Sequence, residues 1–94
     1  MAISETLLPL GQIVATPGAL EALARAGQEA KPFLERHASG DSGQVDEHDS
    51  AQNDYNLAHG FRILSSYRTA AGASLWIITA ADRSSTCPLL PDDY

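Results

Sequence analysis

Three histidines, one cysteine and nine serines are the residues best suited to act on a substrate or hold a metal. His37, His48 and His59 recur eleven positions apart. That spacing puts no two imidazoles on one helix face, where a helical metal site needs them at i and i+4. No metal centre is expected. His37 and His59 fall near predicted helix ends, where an imidazolium is favoured by the negative end of the dipole. No serine stands in a Gly-x-Ser-x-Gly context, and no Cys-Gly context surrounds Cys87. A lone cysteine excludes an intramolecular disulfide and a thiol-only zinc site. With no basic residue beside it, Cys87 reads as a buried or half-buried thiol. The segment Gly40-Asp41-Ser42-Gly43 has two glycines, but Asp41 would repel a phosphate and no lysine follows. The expectation is a protein that is not an enzyme and takes no cofactor.

Charge is more informative. Asp41, Asp46, Glu47, Asp49 and Asp54 lie in a stretch without Lys or Arg, which reads as a solvated helix face or as an acidic surface that meets a basic patch on a protein partner. Tyr55 and Trp76 are the candidate aromatic anchors of such a contact. A net charge of -6 opposes adsorption to nucleic acid and to anionic lipid, since phosphate binding needs clustered cations. Arg62, Arg68 and Arg83, half of the six basic residues, gather in the C-terminal part. No apolar run is long enough to span a membrane, and the N-terminus lacks the basic start and apolar centre of a signal peptide. A cytoplasmic location is expected.

These residues need a scaffold, and 94 residues allow one domain with a single small core. Residues 1–6 carry no pattern and read as a frayed terminus. Pro9 and Gly11 interrupt the next apolar stretch, which leaves a short strand at residues 12–15 near a sheet edge. Thr16-Pro17 is an N-cap followed by a first-turn proline, opening a helix to Ala26 with Leu20, Leu23 and Ala24 on its inner face and Gly27 as its stop. Lys31-Pro32 repeats the signal for a second helix to Ala38, and Asp46 is the N-cap of a third over residues 45–60. From Phe61 the period becomes two, predicting strands from residue 61 to about Arg68, at 74–79 and at 85–90, the last held at an edge by Pro88. Residues 91–94 read as a solvated acidic tail.

The resulting expectation is an α+β domain, with an N-terminal strand and three short helices packed on a three-stranded antiparallel meander. Its core should hold Val14, Leu20, Leu23, Phe33, Leu34, Ile63 or Leu64, and Ile77. Trp76 and Ile78 have the opposite parity from Leu75 and Ile77, so Trp76 with Tyr67 or Phe61 would form an aromatic patch on the uncovered face, open to a homodimer contact.

Several strings together resemble a small family of proteins carried on bacterial plasmids and integrated elements. They are residues 11–20 (Gly-Gln-Ile-Val-Ala-Thr-Pro-Gly-Ala-Leu), Phe33-Leu-Glu-Arg-His37, Gly40-Asp41, Gly60-Phe-Arg-Ile-Leu-Ser65, Trp76-Ile-Ile-Thr79, Ala81-Asp-Arg-Ser84 and the closing Leu-Leu-Pro-Asp-Asp-Tyr. The resemblance covers nearly the whole chain. Family members carry labels such as plasmid-related protein or modification subunit of type I restriction enzymes; a methyltransferase domain would not fit in this length. Ser42 stands where the family has Trp, and Ala80 where it has an acid. The resemblance implies a mobile-element setting, in which small acidic proteins act by binding and blocking a host protein such as a CRISPR or restriction nuclease. Together the residues and the resemblance lead to the expectation of an acidic protein-binding module, with an accessory subunit of a larger enzyme as the alternative.

Overall fold

The computed structural model describes residues 9–41, 43, 52, 53, 55, 56 and 59–94. Two α-helices are delimited among them, α1 (Pro17–Ala26) and α2 (Ala30–Ala38), with four strands: β1 (Gln12–Ile13), β2 (Ile63–Arg68), β3 (Ser74–Thr79) and β4 (Ser85–Leu89). The sheet order is β1-β4-β3-β2. β2, β3 and β4 run antiparallel, and β1 joins β4 in parallel. Among the described residues, the expected three helices on a three-stranded meander are therefore corrected to two delimited helices and a mixed four-stranded sheet, with residues 52, 53, 55, 56 and 59 also helical. Most of the predicted third helix, residues 45–60, lies outside the described residues.

α1 starts as its sequence dictates. Thr16 is extended, its hydroxyl accepts from the Ala19 amide, and Pro17 fills the first turn. Gly27 closes it in the left-handed conformation at φ 65°, returning its amide to Ala24 and Leu23. The buried stripe is Ala19, Ala22 and Leu23, one residue out of phase with the expected one, and Leu20 is 54% exposed. Small alanines bring the helix axis close to the sheet, so the bulkier Leu20 is turned to solvent. α2 begins at Ala30, with Glu29 as an N-cap that makes no side-chain bond.

Both helices cover one face of the sheet. Ala19, Leu23, Phe33, Tyr67, Leu75 and Ile77 form the core cluster, with Ala30 and Leu34 packed against it. Tyr67 belongs to this core, not to the exposed patch expected of it. β2 begins at Ile63, which leaves Phe61 outside the strand. Val14, expected inside, is 51% exposed beyond the short edge strand β1.

β4 is an interior strand despite Pro88. The Thr86 and Pro88 carbonyls accept from Val14 and Thr16 on the β1 side, so the missing Pro88 N–H faces β1 as well. Toward β3, Pro88 stands opposite Ile77 without owing a bond. A proline thus fits an inner strand where its neighbour's ladder runs out.

The tail is ordered too. Pro91–Asp93 form a 3-10 turn, and Asp93 accepts from the Thr16 hydroxyl at 2.7 Å and from the Leu90 amide at 3.0 Å. It sits against Gly18 in the first turn of α1, where a carboxylate meets the positive end of the dipole.

Candidate functional site

Asp41 was a candidate for partner contact, yet its carboxylate is committed within the chain. The Arg36 Nε–H donates to it at 2.7 Å, and the Gly43 amide at 3.0 Å. Its backbone carbonyl accepts from the Tyr67 hydroxyl, while the Arg36 guanidinium lies 4.6 Å from the Tyr67 ring centre. The hydrogen bond from Arg36 holds the Asp41 carboxyl below its ordinary range. Gly43 then pairs with Ser66 on the outer edge of β2. Asp41 is thus the keystone of the 40–43 corner. Asp46, Glu47, Asp49 and Asp54 lie outside the described residues, as does Ser42.

The two aromatic candidates occupy separate clusters joined by consecutive residues. Tyr55 stacks on His59, with ring centres 3.9 Å apart, and on Phe61 at 6.2 Å. Tyr55 and Phe61 are each 51% exposed. The His59 Nδ1–H donates to the Tyr55 carbonyl at 2.8 Å. Arg83, the sole non-glycine among the described residues in the left-handed region, at φ 61°, donates to the carbonyls of Phe61, Asn56 and Ala80. It fixes the backbone on which the stack stands. One residue on, the Arg62 guanidinium donates to the Tyr94 hydroxyl at 2.6 Å. The Tyr94 ring meets half-buried Trp76 edge-on, at 5.8 Å. Trp76 is therefore shielded in part by the chain's own tail.

A third arrangement had no signal in the sequence. His37 is 2% exposed, and its Nδ1 and Nε2 lie 2.5 Å from Ser65 Oγ and 2.8 Å from Thr79 Oγ1. Thr79 continues to Thr86 Oγ1 at 2.8 Å, and Thr86 donates to the Leu10 carbonyl at 2.7 Å. α2, β2, β3 and β4 each contribute one side chain to this row. A serine beside a histidine is the geometry of an activated nucleophile. Here Ser65, Thr79 and Thr86 are all buried, and two surface grooves among the described residues, of about 340 and 310 Å³, are lined by other residues. The row lies within the core. Burial pushes the His37 imidazole down to about 4, so it is neutral at pH 7. That corrects its expected role as a cation at a helix end. No sequence spacing announces the row, because its members meet only once the sheet is paired.

Comparison with family models, curated proteins and solved structures finds no match. Among the described residues, no group of three or more His, Cys, Asp or Glu side chains is placed to hold a metal. No helix among them is long and apolar enough to cross a membrane. Cys87 is half-buried, and burial together with the Asp93 charge raises its thiol above the ordinary value, away from thiolate reactivity.

Proposed function

We propose that the protein is a non-enzymatic module that binds a protein partner through the exposed ring stack of Tyr55, His59 and Phe61. The observation that carries this reading is the exposure of two large aromatic rings that pack on one another and not into the core. Rings on a fixed backbone lose little freedom on binding, and tyrosine is enriched among residues that dominate interface energy. The net charge of -6 favours a partner with a basic surface, the acidic side chains speeding encounter more than strengthening the complex. The family resemblance supports the sharper version, in which that partner is a host defence nuclease.

The test is an affinity capture from bacterial lysate by three proteins: the parent, a Tyr55→Ala/Phe61→Ala variant, and a variant with Asp46, Glu47 and Asp49 changed to Lys. The expected result is one partner recovered by the parent and lost by the aromatic variant. The lysine variant should bind the same partner with slower, less salt-sensitive association. Equal recovery by the aromatic variant would remove the stack from the contact, and turnover of a small substrate without any partner would overturn the reading.

A further inference from the structure

The buried row from Ser65 to Leu10 ends on a group that can only accept, and this fixes every hydrogen along it. The Leu10 carbonyl takes the Thr86 hydrogen. Thr86 has none left for Thr79, so Thr79 donates to Thr86. Thr79 must then accept from His37 Nε2, which bears the ring hydrogen. Nδ1 is left as the acceptor for the Ser65 hydroxyl. With a neutral imidazole the row is satisfied in one direction only.

We propose that this row is an acid-sensitive latch seating α2 on the sheet: a proton added at His37 Nδ1 turns the bond with Ser65 round and leaves an imidazolium buried between two neutral hydroxyls, which frees the C-terminal half of α2 from β2. The far end of the row keeps its bonds, because Nε2–H still donates to Thr79. No carboxylate among the described residues compensates the new charge. β2 presents Ser65 and the core ring of Tyr67, whose hydroxyl burial pushes up to about 12. β3 and β4 present Thr79 and Thr86, and α1 brings only Ala19 and Leu23 to the shared core. On α2 itself, Glu35 is exposed, and Arg36 is held by Asp41. Burial is the cause that shifts the ring.

The experiment is nitrogen-resolved NMR of the imidazole and amide hydrogen exchange on the whole protein between pH 7 and pH 4. His37 should appear as the neutral Nε2–H tautomer at pH 7. Protection factors for amides 34–38 should fall about a hundredfold by pH 4 and stay below those within β2 and β3 throughout. An Nδ1–H tautomer, an α2 indifferent to the titration, or equal protection of α2 and the sheet at pH 4 would overturn the proposal. In a His37→Gln variant the acid response of α2 should vanish, and its persistence would equally refute the latch.

Discussion

Protonating His37 costs the fold more than it costs the unfolded chain, since burial lowers its ring from 6.5 to about 4. A base depressed on folding contributes its full share above the unfolded value and loses it as pH falls from 6.5 toward 4. The unfolded state binds the proton first in that window. Urea midpoints should therefore drop on acidification, by the equivalent of about 3 kcal/mol between pH 7 and pH 4, and His37→Gln should flatten that profile. Gly43 offers a second check. A Cβ there would lie 2.5 Å from the Tyr67 ring as well as against the Ser66 carbonyl, at φ +71°, whereas one at Gly72 meets nothing within 4 Å at φ +88°. Gly72→Ala should cost about 1 kcal/mol for its backbone alone, and Gly43→Ala about 2 to 3 kcal/mol. Equal losses in thermal melts would show that the corner gives way freely.

At the scale of elements, α1 was readable from Thr16-Pro17 and Gly27, because caps are local chemistry. Its inward face was not, since the choice between stripes depends on how near the sheet lies. Leu20→Lys should change stability by under about 0.5 kcal/mol, while Leu23→Ala should cost about 2 to 4 kcal/mol, both read from urea unfolding. Alternation marked β2 and β3, and parity correctly sorted buried Leu75 and Ile77 from half-buried Trp76 and Ile78. The place of β4 was hidden because Pro88 forbids one bond on one side only, and nothing local says which side is occupied. Of the candidate site, Tyr55 and Trp76 were visible as aromatics. The Arg83 clamp reaches Phe61 and Asn56, 22 and 27 positions away, which spacing cannot show, and Asp41 is committed to Arg36 and Gly43 by a local turn that its charge does not announce. β2 illustrates the same point at its outer edge, where the Asn53 side-chain amide donates to the Leu64 carbonyl at 2.6 Å and accepts from its amide at 3.3 Å. A side chain there stands in for a strand and blocks pairing with another molecule.

For the whole molecule, one sheet face is covered by the helices and part of the other by the tail, through Tyr94 on Trp76. Tyr94→Ala should shift Trp76 fluorescence to longer wavelength and leave far-UV dichroism unchanged; an unshifted spectrum would mean that the tail shields nothing. Then there is the parallel pairing of β1 with β4, Gln12 opposite Ser85 and Ile13 opposite Thr86. On the ribosome, the strand made early has no partner until the strand made late has emerged. Closing so long a loop is slow, and until it closes α1 lacks the edge that orients it. Synonymous changes that slow translation before β3 should prolong exposure of Ile13 and Val14 to chaperones and proteases and lower the yield of native protein.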